Sequence, residues 1–217
     1  MGRNGKQTKP TIANVVAQRS SRGMRQKIQG NLGNTTLLRG TELLTPISVL
    51  DTSSGATSYV PLIGGSSQQR AVYTFINVAK NFQRFLYLPG THFRYQPNVG
   101  LNTAGTIYVA YVDNPELLKD FIAASGSTRL DILKGMANMK SYPVWQEFVQ
   151  HIGPPRLKSF STDPNTDFTN ADTLNRVLQG AFIFGVEGVT QTATTTYGRI
   201  ALQNVLRLEE LSATPAS

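Results

Sequence analysis

The chain has 217 residues, no cysteine and a formal net charge of +8 at pH 7. This length suffices for one substantial core, and the lack of cysteine excludes a disulfide framework and a thiolate metal site. No apolar run approaches the ~18 residues of a membrane span, and no secretory signal is visible. We therefore expect a soluble, intracellular protein with no membrane partner.

The net charge lies entirely at the amino-terminal end. Residues 1–41 contain eight basic residues and no acidic one, whereas from residue 42 onward 13 basic residues balance 13 acidic ones. A basic tail on a neutral body separates attraction to a polyanion from the role of the body. The candidate residues for binding such a polyanion are Arg3, Lys6, Lys9, Arg19, Arg22, Arg25, Lys27 and Arg39.

Residues 1–38 are predicted to be a flexible basic arm. They combine Gly, Asn, Ser, Thr and Gln with the basic residues and contain no aromatic side chain. Such a segment cannot bury enough apolar surface to order itself. We place a folded domain over residues 39–211 and a short tail over 212–217.

The first part of this domain is predicted to contain two strands and a helix. A strand candidate over Glu42–Asp51 is interrupted by Pro46, and a second strand covers Ser58–Ile63. Apolar residues three and four positions apart predict a helix over Gln68–Lys80.

The segment 84–112 is the most informative part of the chain. Its first half has aromatic residues at alternate positions, typical of a half-buried strand, and these are Phe85, Tyr87, Phe93 and Tyr95. Pro89 and Gly90 interrupt the alternation and predict a bulge or bend within a long edge strand. The almost wholly apolar Thr106–Val112 is typical of a strand covered on both faces. The four aromatic rings could stack on nucleic-acid bases, but core packing is the favoured interpretation.

Short helices and further strands complete the domain. Asn114 can cap a helix that has Pro115 in its first turn, and Ser127 starts another helical segment. Strands are predicted over Tyr142–Ile152, Leu157–Ser161, Val177–Val186 and Gly198–Leu208. The seven or eight strands, with a few short helices in the connections, predict an all-β fold of two packed sheets. Long, irregular connections favour an eight-stranded jelly-roll β-sandwich over a meander of hairpins.

The residues offer no catalytic site. The two histidines, His92 and His151, lie in no metal-ligand spacing and beside no nucleophile motif. The stretch Gly64–Ser67 is glycine-rich, but no Lys-Ser or Lys-Thr follows it as a phosphate-binding loop requires. We therefore expect no enzymatic activity and no cofactor.

Four features of the chain occur together in one family. They are the basic arm, the helix QQRAVYTFINVAKNFQRF, the segment FRYQPNVGLNTAGTIYVAYVDNPE and the closing TTTYGRIALQNVLRLEEL. In order and pattern they resemble the single jelly-roll shell domain of icosahedral positive-strand RNA plant virus coat proteins of the tombusvirus and sobemovirus kind, including ourmiavirus-like ones. The resemblance implies a capsid protein whose copies tile a closed virion. It also implies that the arms bind single-stranded genomic RNA, with assembly in the host cytoplasm.

The resemblance also raises calcium as a cofactor. Some members of the family hold calcium between subunits on carboxylates that follow the buried central strand, and the nearest residues here are Asp113, Glu116 and Asp120. They lack the close Asp-x-Asp spacing that places two oxygen ligands side by side. The favoured interpretation is that they are helix-start acids stabilised by the helix dipole.

Two other functions are compatible with the sequence. A non-viral jelly-roll or lectin-like module would bind a small ligand or glycan at one end of the sandwich. A non-assembling RNA-binding protein would use the arm without forming a shell. Closed particles are expected only of the coat protein.

Overall fold

The computed structural model describes residues 27–32, 35–49, 56–64, 78–154, 156, 158–162, 168–187 and 195–211. Three helices lie in this part of the chain, namely α1 Pro115–Ala123, α2 Gly126–Lys134 and α3 Ala171–Val177. The strands are β1 Lys27–Leu32, β2 Thr35–Val49, β3 Ala56–Ile63, β4 Phe82–Tyr87, β5 His92–Pro97, β6 Thr106–Val112, β7 Lys140–Pro143, β8 Phe148–His151, β9 Phe160–Ser161, β10 Leu178–Glu187 and β11 Thr195–Leu211.

These strands form two antiparallel sheets. Sheet A contains β1, β2 and β11 in that order, then β4 and β5 in line along β11, then β9 and β8 beside them. Sheet B has the order β3-β10-β6-β7. Each sheet therefore has four principal strand positions, and the chain crosses repeatedly between them, as in a jelly roll. The predicted eight-stranded jelly roll is confirmed, with β1 as an additional strand beside β2.

Aromatic side chains from both sheets fill the core. Phe85, Phe93 and Tyr95 are fully buried, and Tyr87 is 2% exposed. The ring centroid of Phe93 lies 5.5 Å from that of Phe182 in the opposite sheet. Burying such a side chain contributes about 1.5–3 kcal/mol. Core packing of the alternating aromatic residues is confirmed, so they are not available to stack on bases.

The predicted bulge at Pro89 and Gly90 is also confirmed. Tyr87 pairs with Leu206 and Phe93 pairs with Leu202, so six residue steps of one strand face four steps of β11. Because the bulge adds an even number of residues, β4 and β5 present their aromatic side chains to the same face. Gly90 has a φ of 103°, a backbone conformation that favours glycine.

The expectation that this interrupted strand lies at a sheet edge is wrong. β4 pairs with β9 and β5 pairs with β8 on the side away from β11. Pro89 needs no edge, because it lies inside the bulge, where the ladder requires no N–H donor.

Gln179 joins the two sheets. Its side-chain oxygen accepts a hydrogen bond from the Tyr87 N–H at 2.6 Å, and its side-chain nitrogen donates to the Tyr87 carbonyl at 2.7 Å. Gln179 belongs to β10 of sheet B, and the register of β10 shifts between Leu178 and Gly180. A buried amide therefore satisfies a backbone unit of sheet A in place of a neighbouring strand.

The single strand predicted over Tyr142–Ile152 is two strands in different sheets. β7 pairs with β6 in sheet B, whereas β8 pairs with β5 in sheet A. The chain turns between them, where the Gln146 N–H donates to the Pro143 carbonyl at 2.9 Å. Tyr142 and Phe148 stack across this corner with ring centroids 4.3 Å apart. Apolar residues therefore lie on both sides of the corner. Because the apolar pattern of the sequence is not interrupted there, it predicts one strand where the structure has two.

The helix prediction at Asn114 is confirmed, since its side chain accepts from the Glu116 N–H at 3.0 Å. Of the helix predicted over Gln68–Lys80, only residues 78–80 are described. Of the strand predicted over Leu157–Ser161, the structure has the two residues of β9, and residue 157 lies outside the described part. Along the described ranges, no helix has the length and apolar composition to cross a membrane.

Sheet A begins inside the segment predicted to be the arm. β1 pairs with β2, and β2 pairs with β11 from Thr35 onward. Leu38 is 8% exposed and lies opposite Leu206 in the sheet. The ladder to β11 and this buried leucine stabilise a segment that has no aromatic residue. Residues 1–26 and 212–217 lie outside the described part, so the division into arm, domain and tail stays a prediction.

Candidate nucleic-acid interface

Two of the eight candidate RNA-binding residues lie in the described part of the chain. Lys27 of β1 is the register partner of Arg39 of β2, and Arg39 is exposed. These two basic residues therefore occupy paired positions on neighbouring strands of one sheet. The six candidates outside the described residues are Arg3, Lys6, Lys9, Arg19, Arg22 and Arg25.

Sheet A, which contains these two residues, has an exposed outer face. Register pairing connects Leu43 of β2 to Ala201 of β11, then to Arg94 of β5 and Val149 of β8. The side chains directed away from the core include eight exposed ones, namely Arg39, Leu43, Arg84, Arg94, Val149, His151, Arg199 and Gln203. We call this surface the outer face of sheet A.

Three arginines on this face carry charge that no described carboxylate neutralises. Arg94 forms an ion pair with Glu147, and Arg207 pairs with Glu209 at 2.7 Å. Within the described ranges, no ion pair involves Arg39, Arg84 or Arg199. Arg84 lies opposite Glu209 in the ladder, so Arg84 and Arg199 are separated by roughly 30 Å along β11 at ~3.3 Å per residue. This spacing suits an extended polyanion better than a small ligand.

The opposite side of the sandwich is built differently. α1 and α2 pack against strands of sheet B, where the ring centroids of Phe121 and Tyr59 lie 6.5 Å apart. Arg129 donates to the carbonyls of Ile122 and Ala124, both at 2.6 Å. The charged group of Arg129 thus stabilises the connection between α1 and α2.

Lys134 of α2 is likewise engaged with the sheet. Its ammonium lies 2.6 Å from a carboxylate oxygen of Glu187, which also accepts from the Tyr108 hydroxyl at 2.9 Å. These hydrogen bonds, that from Lys134 first, hold the pKa of Glu187 below its usual value. The same hydrogen bond raises the pKa of Lys134. Burial, followed by the bond to Glu187, raises the pKa of Tyr108.

The three calcium candidates have separate roles in the structure. Asp113 forms an ion pair with Arg156, Glu116 pairs with Lys119 in the first turn of α1, and Asp120 is exposed later in that helix. Among the residues described, no group of three or more His, Cys, Asp or Glu is close enough to hold a metal ion. The position of Glu116 fits the helix-start interpretation.

Apolar surface is exposed at one loop and in one groove. Leu101, in the Gln96–Gly105 stretch, is 74% exposed. A shallow groove of about 500 Å³ lies between the end of β6, α1 and α2, and its apolar wall includes Leu117, Ile132 and Met136. These features provide apolar contact area away from the basic face.

Arg84 and Arg199 were not among the residues predicted from the sequence to bind nucleic acid. Their alternation with apolar residues predicts solvent-facing positions on two strands. Arg84 is in β4, which pairs with β11, and Arg199 is in β11 itself. Only this strand register shows that the two arginines share a face with Arg39.

No protein-family model and no curated protein matches the chain. Solved structures do match, among them tobacco necrosis virus, with a TM-score of 0.66 at 18% identity over 97% of this chain and 96% of that chain. The structure of mud crab tombus-like virus matches with a TM-score of 0.66 at 15% identity, over 92% of this chain and 96% of that chain. The structure of cocksfoot mottle virus matches with a TM-score of 0.62 at 13% identity, over 80% of this chain and 93% of that chain. Such neighbours are capsid proteins. The chain therefore has the jelly-roll shell fold of tombusvirus and sobemovirus coat proteins, as the resemblance in its sequence predicted.

Proposed function

We propose that this chain is a coat protein that assembles into a closed shell and packages single-stranded RNA through its basic amino-terminal arm. The observation that carries the proposal is the confinement of the net charge of +8 to residues 1–41 of a chain with a virus-shell fold. Neutral domains pack side by side without mutual repulsion, while the arm neutralises phosphates by releasing counterions. The role is structural and not enzymatic.

Assembly rests on many weak contacts acting together. Lateral contacts between domains become cooperative when the shell closes, and one RNA molecule bridges many arms at once. Since phosphate contacts carry no sequence information, the arm packages RNA without selecting it. Assembly in the host cytoplasm suits a chain without cysteine, and the product is the virion.

The fold supports a particular path for the RNA. The arm reaches the sheet at β1, and the outer face of the same sheet has the exposed Arg39, Arg84 and Arg199, which form no ion pair with the residues that the structure describes. RNA held by the arm would therefore lie against the outer face of sheet A, with the helices α1 and α2 on the far side of the sandwich.

Negative-stain electron microscopy of the purified protein, with and without RNA, tests assembly. Closed particles are expected. Unassembled protein that still binds RNA would replace the proposal with a non-assembling RNA-binding protein. Unassembled protein that ignores RNA would favour a lectin-like module.

Salt dependence tests the role of the arm. With about seven basic residues of the arm engaged, the arm should contribute about −5 to the log–log slope of binding to single-stranded RNA, at roughly −0.7 per contact. Replacing the six basic residues of segment 1–26 by glutamine, in the full-length chain, should make the slope shallower by about 4. A matched full-length variant with the six Ser, Thr and Asn residues of the same segment replaced by glutamine should keep the wild-type slope. An unchanged slope in the first variant would refute RNA binding by the arm.

A further inference from the structure

The two histidines of the chain, far apart in sequence, lie side by side in the structure. His92 of β5 and His151 of β8 are register partners on the outer face of sheet A. Their ring centroids are 5.3 Å apart, and the ring planes are inclined by 55°. His151 is exposed and His92 is half-buried, so an ion from solvent can reach the pair.

The bulge fixes the tautomer of His92. Its Nδ1 lies 2.9 Å from the Gly90 carbonyl oxygen, which can only accept a hydrogen bond. Nδ1 therefore carries the proton, and the lone pair of the neutral ring is on Nε2. A hydrogen bond from the second ring nitrogen to a backbone carbonyl is the usual arrangement in metal-ligating histidines, because it orients the ring and raises its basicity.

Hydrogen bonds of a buried side chain hold the same bulge in place. The Thr91 hydroxyl accepts from the Val205 N–H at 3.0 Å and donates to the Val205 carbonyl at 3.3 Å, and Thr91 is fully buried. The residue directly before His92 is therefore fixed by two hydrogen bonds to the backbone of Val205. Ligands held on sheet strands in this way need little reorganisation on binding.

We propose that His92 and His151 together bind a divalent transition-metal ion of the zinc class. A tetrahedral zinc ion about 2.1 Å from each nitrogen holds two imidazole centroids roughly 5 Å apart, close to the 5.3 Å of this pair. Imidazole suits zinc, nickel and copper, whereas magnesium and calcium prefer oxygen ligands. Water completes the coordination, and the exposed Gln203, the register partner of His92 in β11, is positioned at the margin of the site.

Binding would join β8 to β5. β8 has four residues, so a metal ion between the histidines adds a cross-link to a short strand. Because the pair is assembled only by folding, the ion binds the native state and stabilises it by mass action. The site lies on the face against which RNA is proposed to lie, but its test uses the protein without RNA, so failure of the metal proposal would leave the packaging proposal unaffected.

Titration of the full-length protein with zinc chloride, followed by calorimetry and thermal unfolding, tests the proposal. One ion per chain and a higher Tm are expected. His92→Asn and His151→Asn should each weaken zinc binding at least tenfold and abolish the rise in Tm. Wild-type affinity in either variant would overturn the proposal.

Two controls separate the site from general effects. Val149→Thr changes an exposed residue of the same strand and should leave zinc binding intact, and calcium chloride should not raise the Tm. Cobalt(II) provides a readout that does not depend on variant stability, because a tetrahedral or five-coordinate site with nitrogen ligands gives visible absorption bands. Absence of these bands in the wild-type protein, or an equal response to calcium, would also contradict the proposal.

Discussion

Thr91 shows how a single side chain maintains the sheet where its backbone bulges. Its hydroxyl bonds both polar groups of Val205, a position that a regular strand neighbour would fill with its own peptide. The Leu88 N–H also donates to the Val205 carbonyl at 2.7 Å. Removing the hydroxyl therefore affects the Val205 N–H most, since the carbonyl keeps a second donor.

Thr91→Val should destabilise the protein by about 1–3 kcal/mol, because it leaves a buried N–H without this acceptor while keeping the side-chain shape. Urea unfolding followed by tryptophan fluorescence measures the difference. Thr128→Val, at an exposed position of α2, is the matched control and should change the free energy of unfolding by no more than ~0.5 kcal/mol. Equal effects of the two substitutions would contradict the role of the hydroxyl.

Glu187 makes stability depend on pH. Because its pKa is lowered in the folded state by Lys134 and Tyr108, its contribution is fully present above the unfolded pKa of about 4.3 and is lost as the pH falls through the folded value. Glu187→Gln should therefore be less stable than wild type at pH 7, by less than about 1 kcal/mol because the pair is partly exposed. The difference in unfolding free energy between wild type and Glu187→Gln should become smaller below pH ~4. Unfolding curves at both pH values test this, and a difference that grows in acid would contradict it.

At the residue scale, the sequence predicts what repeats locally and misses what depends on distant partners. The alternation of Phe85 to Tyr95 contains its own period, so burial of these side chains follows from the sequence. Thr91 and Gln179 have no such signal, because their partners Val205 and Tyr87 lie more than 90 positions away.

Among the elements, the amino-terminal strands change the choice of truncation. β1 and residues 35–38 of β2 lie within the predicted arm, and Leu38 packs opposite Leu206. Deletion of residues 1–38 should therefore lower the free energy of unfolding by at least about 2 kcal/mol relative to deletion of residues 1–26, from the loss of one buried leucine and its ladder. Urea denaturation of the two truncated proteins gives the comparison. Coincident unfolding midpoints would show that these strands add nothing.

A strand or helix was predictable where its apolar pattern in the sequence ends at the same residues as the element itself. The bounds of β6 match the apolar run Thr106–Val112, which ends at the polar Asp113. β7 and β8 were merged because Tyr142, Val144 and Phe148 stay apolar around a corner. α3 was missed in a polar stretch, although Asn170 is a helix-capping residue and Leu174 and Val177 have helical spacing.

For the whole molecule, the shared face of three arginines gives a prediction about RNA binding. Replacing Arg39, Arg84 and Arg199 by glutamine in the full-length protein should make the salt slope shallower by about 2, at roughly 0.7 per lost phosphate contact. The control replaces Lys119, Lys134 and Lys140 by glutamine, which removes the same charge from α1, α2 and β7. Filter binding across a salt series measures both slopes. Equal slopes in the two variants would refute contact between RNA and the outer face of sheet A.

The fold of the whole molecule was readable because strand number, strand pattern and connection length all indicate the same architecture. The position of the basic face was not readable, because it depends on which strands become neighbours. Arg39 and Arg199 are 160 positions apart in the chain, yet they lie on adjacent strands of one sheet.

The pairing of β1 with β2 also shortens the part of the predicted arm that can extend freely from the domain. β1 begins at Lys27, which is 12 positions before Arg39, where the predicted domain begins. A chain extends by at most ~3.5 Å per residue, so these positions would have added about 40 Å to a free tether. Under the proposed function, the maximum distance between the shell domain and RNA held by the arm is therefore about 40 Å shorter than for a tether that is free as far as residue 38.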